Sequence, residues 1–525
     1  MAAATMSRTI LFRWNKKKIP FAHSRHADTR IKTLCDTNKL QEAVETFEHL
    51  LSAKSESKPN LITCNHLLSS LVRQNRREPA LSVYRLMVEA DIVPNLRTFT
   101  IVINCHCQSG RMNNALKVFQ EMEAQGHVPN IITFSTLIKG FCRVGRMEDA
   151  VNVFNQMVIK QQAPNLFTYN TLIDGLCKTG KTHEAFGLVT VMLQKGHEPN
   201  TVTFTTLIDR LCKEGKLQEA EKLLYRMLKE GHNPNVITFT ALIDGLCKKG
   251  NLDEGMKLFY EMPNKNICPN TVTYTALIDG FCKQDKLDKA RKLFNEMLSK
   301  NIHPNVVTYN AVIDGLCKQR QWQEAAKLLQ EMLDKGYKPD VITYNALSNG
   351  LCKEGKLQEA LWLVDGMVQM GNQPDQITYN TLINGFCKVG NLEKAGELLQ
   401  EMTESGCRPN LVNYNTFIDG LCKHSRIDEA QQIFYEMPKQ GLSPDVVTYN
   451  TLMDGLCKGG NPKEAIKLFK KMKDSGYVPD IITYSILEDA LCNHGSSQEA
   501  NRLYHESIEF FSHDTDIFSS KQHHL

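Results

Sequence analysis

Apolar and polar positions in this chain recur on two scales. At short range, Tyr449, Leu452, Met453, Leu456 and Cys457 fall at i, i+3, i+4, i+7 and i+8, one face of a helix. Gly459 and Gly460 stop that helix, and Pro462 suits the first turn of a second one. Ala465, Leu468, Phe469 and Met472 give the second helix its apolar face, and Gly476 and Pro479 break the chain before the next unit. At long range the same pattern returns every 35 residues, in twelve units from Leu61 to Asp480 with no insertion or deletion. An irregular unit at 28–60 precedes them, and a degenerate one at 481–515 and a tail at 516–525 follow. Each unit predicts an antiparallel helix pair too small to bury its own apolar faces, so neighbours must stack; the fold class is an all-α solenoid of helix pairs. Ala465 returns as Ala150, Ala185, Ala220, Ala290, Ala325, Ala360, Ala395 and Ala430, a small residue that lets the two helices of a unit approach closely. Asp285, Arg320 and Ser425 stand where most units have the helix-ending glycine, which predicts strain or another cap there.

Composition changes this picture at three points. The formal charge is +4, but residues 1–27 hold six cations (Arg8, Arg13, Lys16, Lys17, Lys18 and Arg25) and no acid, leaving 56 basic against 58 acidic residues in the body. A basic field over the whole protein is therefore no argument for a nucleic-acid partner; only a local stripe could be one. The acid-free leader 1–27 reads as an organellar transit peptide, the alternative being a disordered basic tail. No run of about eighteen apolar residues predicts a membrane span. Of the 17 cysteines, twelve recur at 35-residue spacing from Cys107 to Cys492, too even for a disulfide framework or a zinc site. They read as small buried apolar residues, and the one tight Cys/His cluster, "NCHCQ" at 104–108, lacks a second ligand pair.

The pattern "VTYNxLIDGLCKxGxxxEAxxLxxEMxxxGxxPD", nearly unbroken at 446–480, 306–340 and 236–270, resembles the pentatricopeptide repeat, and thirteen prolines at 35-residue spacing, Pro59 to Pro479, each precede Asn or Asp. The resemblance covers about residues 24–515; the uniform unit length is similar to the P class, and the wording to the restorer-of-fertility-like group of plant organelles. It implies a right-handed superhelix that binds single-stranded RNA, one unit per base. It also implies which residues read the base: the fifth of a unit, after the aromatic, and the last.

Those columns vary among a few polar types, and their chemistry suits the role. Ionised Asp only accepts hydrogen bonds, whereas Asn also donates. Asp at the end of a unit should favour U or G, which carry a ring N–H, and Asn should favour C or A. At the fifth position a short Thr or Ser leaves room for a purine, and Asn suits a pyrimidine. A wrong base leaves a polar group unpaired, at about 1–3 kcal/mol. In chain order, Asn65/Asn95 suggests C; Thr100/Asn130 and Ser135/Asn165 suggest A, A; Asn170/Asn200 suggests C. Thr205/Asn235, Thr240/Asn270 and Thr275/Asn305 suggest A, A, A; Asn310/Asp340 and Asn345/Asp375 suggest U, U. Asn380/Asn410 suggests C, and Asn415/Asp445 and Asn450/Asp480 suggest U, U. With the family's polarity, protein N-terminus toward the RNA 5′ end, the expected target is 5′-CAACAAAUUCUU-3′, in which each C tolerates U.

The second residue of a unit is apolar in Ile62, Ile132, Val202, Ile237, Val272, Val307, Ile342, Ile377, Val412 and Val447, able to sandwich base faces or to pack between repeats; Arg97 and Phe167 depart. A cation follows the recurrent cysteine in Arg143, Lys178, Lys213, Lys248, Lys283, Lys318, Lys353, Lys388, Lys423 and Lys458, a stripe that could track phosphates or serve helix C-termini. The recurrent Asp at 174, 209, 244, 279, 314, 419 and 454 is expected to serve solubility or inter-repeat pairing.

Phosphate-loop, nucleophile-elbow, zincin and zinc-deaminase motifs are all missing from the sequence. The expectation is a binding protein with no catalytic residue, cofactor or metal. The resemblance implies action on organellar RNA, mitochondrial or alternatively chloroplast, in transcript processing, stability or translation, as a monomer on RNA with a recruited nuclease or other factor and no membrane. A helical scaffold holding a peptide is the other class. The small polar set in both reading columns favours RNA.

Overall fold

The structure, a computed structural model, describes residues 24–52 and 58–493. Residues 1–23 of the expected transit peptide, the tail, and all of the degenerate unit beyond Asn493 lie outside the described residues, while residues 24–27 open the helix Ser24–Asp36. Two compact units divide at Leu242/Ile243. Among the described residues all regular structure is helical. None of the helices is long and apolar enough to cross a membrane.

In the first unit, helices such as Leu96–Gln108, Met112–Ala124, Ile131–Arg143 and Met147–Ile159 alternate at 35-residue pitch. In the second, Val306–Lys318, Trp322–Asp334, Val341–Lys353 and Leu357–Gln369 do the same. Nearly every helix has 13 residues, hence a length of about 20 Å. Helices this short are marginal alone, so stacking has to hold them. Within each compact unit, the first helix of a pair packs on its own partner and on the first helix of the next pair.

Tyr449, Leu452, Met453, Leu456 and Cys457 are all buried, as are Ala465, Leu468, Phe469 and Met472. The recurrent Ala is fully buried in every unit that has it, including Ala150, Ala325 and Ala465. Edge-to-face aromatic pairs tie a unit to the one before: Phe434 lies 5.1 Å from Tyr449, and Phe294 lies 5.6 Å from Tyr309.

The helix-ending glycine takes the left-handed conformation, as at Gly460 (φ 80°), and Asn461 N–H then closes on Leu456 O at 2.8 Å. Asp285, Arg320 and Ser425 adopt the same conformation at φ 58°, 60° and 61°. The turn is thus kept rather than replaced, at a cost of roughly 1–2 kcal/mol each.

A contact between two recurrent columns was not anticipated. In most first helices a glycine faces the cysteine 33 residues earlier. A Cβ on Gly350 would stand 2.8 Å from Cys317 Sγ, and one on Gly385 would stand 2.9 Å from Cys352 Sγ. The same pairing joins Gly140 to Cys107, Gly175 to Cys142 and Gly315 to Cys282. Glycine here admits the neighbouring helix, and the thiol fills the space. Ten of the twelve recurrent cysteines are buried as expected; Cys422 is only half-buried and Cys492 is exposed. Burial, with help from neighbouring aspartates, pushes the Cys282 and Cys247 thiols up to about 12.

Candidate nucleic-acid interface

The last residue of each unit is the N-cap of the next unit's first helix. Asn130, Asn165 and Asp445 sit in extended backbone, and each Oδ1 accepts from the backbone N–H of the threonine three residues on, at 3.0, 3.0 and 2.8 Å. Asn95, Asn200, Asn235, Asn270, Asn305, Asp340, Asp375 and Asp480 do the same, and Asn410 caps Asn413. Asn and Asp cap about equally well, so the fold is indifferent to which of them stands there. The cap pins Oδ1. What remains to face outward is Nδ2 in Asn and Oδ2 in Asp, a donor in one case and an acceptor in the other.

The fifth residue of a unit meets this cap. Asn65, Asn170, Asn310, Asn345 and Asn450 donate through Nδ2 to Oδ1 of Asn95, Asn200, Asp340, Asp375 and Asp480, at 3.2, 3.2, 3.0, 3.1 and 3.1 Å. Their own Oδ1 accepts from the hydroxyl of Thr98, Thr203, Thr343, Thr378 and Thr483, at 2.6–2.8 Å. Where the fifth residue is a hydroxyl, it bonds the same threonine: Thr100 to Thr133, Ser135 to Thr168, Thr205 to Thr238 and Thr275 to Thr308, at 2.7–2.9 Å. Thr240 is buried in the same way. This third-position threonine, fully buried in nearly every unit, joins the two polar columns and is the column that sequence reasoning passed over. Its recurrence was the available signal. Burial alone would raise the carboxyls of Asp375 and Asp480, but the hydrogen bonds from Thr378 and Asn345, and from Thr483 and Asn450, outweigh it and hold both below the usual carboxylate range.

Two units break the pattern. Asn410 donates Nδ2 to Gln376 Oε1 at 2.7 Å instead of meeting Asn380, and position three of the following unit is Asn413, whose Nδ2 reaches Asn380 Oδ1 only at 3.4 Å. In unit 411–445, Asn415 Oδ1 is buried with no hydrogen-bond partner, and Thr448 turns its hydroxyl to Asp445 at 2.7 Å.

The second-position side chains are exposed: Ile132 by 65 %, Val202 by 55 %, Ile237 by 62 % and Ile342 by 64 %. Val272, Val307, Ile377, Val412, Val447, Ile62 and Phe167 are exposed alike. Packing between repeats does not bury them. In the first unit, Ile132 and Phe167 join Thr100, Ser135 and Asn165 around one cavity of about 380 Å³. Candidate stacking and reading residues therefore line a common space, apolar with a few polar groups, as ligand sites are.

The recurrent aspartates meet the cation stripe. Lys178, Lys213, Lys248, Lys283, Lys318, Lys423 and Lys458 each pair with the aspartate one turn earlier in the same helix, at 2.6–2.7 Å. The recurrent aspartates thus pair within a helix and not between repeats, because i and i+4 share a helix face. Lys353 and Lys388 have Asn349 and Asn384 one turn earlier, and make no ion pair among the described residues.

The PPR repeat family profile matches residues 59–353 and 409–493 as overlapping segments, and PPR repeat profiles match 342–372 and 370–403. No curated protein sequence matches the chain. Among solved structures, the pentatricopeptide repeat protein PPR10 from maize is 24% identical, with 93% of this chain and 84% of that one covered at a TM-score of 0.52. PPR10 in complex with an 18-nt psaJ RNA element is 25% identical, with 92% and 84% covered at a TM-score of 0.48. The PPR domain of Arabidopsis thaliana protein-only RNase P 1 in complex with tRNA is 18% identical, with 34% and 94% covered at 0.29. The helix pairs at 35-residue pitch and the profile matches over most of its length place the chain in the pentatricopeptide (PPR) repeat family.

Proposed function

We propose that this protein binds single-stranded RNA in a sequence-specific manner, each unit taking one nucleotide, with 5′-CAACAAAUUCUU-3′ as the preferred target. One observation carries the reading. The helix cap pins one atom of the last residue and leaves outward the single atom in which Asn and Asp differ, beside an exposed apolar side chain. A fold indifferent to the choice between Asn and Asp leaves that choice free to encode a base. The exposed second-position residues stack on ring faces, as in other RNA modules. Phosphates lie along the lysine stripe, where most lysines must first leave an aspartate; Lys353 and Lys388 need not. The protein acts on an organellar transcript, mitochondrial or alternatively chloroplast, with residues 1–27 as its transit peptide, and alters its processing, stability or translation.

The test is fluorescence anisotropy with the purified chain and labelled RNA. The designed 12-mer should bind at least about tenfold more tightly than a shuffled one, the effect of a single unpaired polar group or more. Equal affinity would refute the reading.

A further inference from the structure

Three units carry Asn at both reading positions: 61–95, 166–200 and 376–410. Two of them share one network. In unit 166–200, Asn170 Nδ2 is spent on Asn200 Oδ1 at 3.2 Å, and Asn170 Oδ1 holds the Thr203 hydroxyl at 2.7 Å. Neither amide can turn over without breaking two bonds, so Asn200 Nδ2 faces outward as a fixed donor.

Unit 376–410 lacks both pins. Its first residue is Gln376, where other units have Leu, Ile, Val or Thr. The Gln376 side chain spans the junction, donating Nε2 to Arg408 O at 3.0 Å and accepting Asn410 Nδ2 on Oε1 at 2.7 Å. Asn410 Oδ1 still caps the next helix at 3.2 Å. Both polar atoms of Asn410 are thus engaged with protein. Asn380 has lost its partner in Asn410 and meets no threonine hydroxyl, because Asn413 stands there and reaches it only at 3.4 Å. An amide held so loosely turns over to present either its oxygen or its NH₂, and so serves a donor or an acceptor edge.

We infer that unit 376–410 is a permissive reader: it holds a nucleotide without selecting it, and Gln376 with Asn413 makes it so. This inference rests on the base-reading proposal. Unit 411–445 also lacks the bridge between its reading residues, but Asp445 keeps its cap, with Oδ1 held by the Thr448 N–H at 2.8 Å, and so remains an acceptor.

The experiment uses the full chain and seven RNAs, 5′-CAACAAAUUCUU-3′ itself and the variants with each of the other three bases at nucleotide 4 or at nucleotide 10. At nucleotide 4, read by Asn170/Asn200, best and worst bases should differ by about tenfold or more. At nucleotide 10 all four should bind within about threefold, less than one such group costs. The double variant Gln376→Val, Asn413→Thr carries the residues found in those columns of unit 446–480, and should widen the spread at nucleotide 10 to that at nucleotide 4. Discrimination at nucleotide 10 equal to that at nucleotide 4 in the unmodified protein would overturn the inference. So would a flat response from a double variant that melts like the parent. If that variant does not fold, the comparison in the unmodified protein decides alone. A flat response at both nucleotides would refute base reading itself, and the inference with it.

Discussion

Units 166–200 and 376–410 have the same two letters in their reading columns, Asn and Asn, and different hydrogen bonds around them. In the first, threonine and amide pin each other. In the second, a glutamine from position one takes the amide and the threonine is missing. Two letters therefore do not define the hydrogen bonds of a unit. The identity of the outward atom depends on what pins the inward one, and that depends on positions one and three.

The comparison can be broken or sharpened in several ways. The largest effect should be common to both units. Burial pushes the Cys177 and Cys387 thiols up to about 12, against about 8.5 in an unfolded chain. The folded state then keeps protons that the unfolded state releases, so this contribution is fully present below about pH 8.5 and is lost as pH rises toward 12. Urea midpoints measured from pH 7 to 10.5 should fall steeply above about pH 9. A flat profile would mean the thiols are not sealed between repeats.

Next comes the glycine–cysteine contact, which both regular and departing units possess. Gly315→Ala and Gly385→Ala should each lower stability by about 1–3 kcal/mol in thermal melts, since a Cβ would overpack the neighbouring cysteine. Adding Cys282→Gly to the first should recover part of the loss. Unequal losses at the two sites would show that packing, as well as presentation, separates the units.

Smaller still is the threonine pin. Thr203→Val removes the 2.7 Å hydroxyl bond to Asn170 while keeping the side chain's shape. It should cost about 1 kcal/mol and reduce base selectivity at nucleotide 4 several-fold, toward that of nucleotide 10. Unchanged selectivity would make the hydroxyl merely structural.

The smallest effect concerns phosphates. Lys353→Ala and Lys388→Ala should each reduce the slope of log affinity against log salt by about 0.7, the single-strand value for one phosphate contact. Lys318→Ala, which removes a cation already paired with Asp314 at 2.6 Å, should reduce it less. Equal slopes would mean that RNA displaces the aspartates without difficulty.

The sequence made the 35-residue pitch, the helix pairs and the two variable polar columns visible, because each is a property of one column repeated many times. Relations between columns were harder. The glycine and the cysteine were each conspicuous, but nothing in either column says that they touch 33 residues apart. The spacing of Asp314 and Lys318 was open to view, yet the recurrent aspartates were expected to serve solubility or inter-repeat pairing rather than to pair along one helix turn. Gln376 was one irregular letter at an unremarkable position, and only the reach of its amide to Asn410 gives it meaning. Asp285, Arg320 and Ser425 were noted as exceptions, and the left-handed turn they keep shows that stacking outweighs local backbone preference.

The central claim is that the outward atom of a capping residue reads a base, and Asp340→Asn tests it most directly. Asn caps as well as Asp, so the melt should stay within about 0.5 kcal/mol of the parent. In anisotropy titrations against RNAs with U or C at nucleotide 8, the preference should move from U toward C by about tenfold. An unaltered preference for U in that folded variant would contradict the claim.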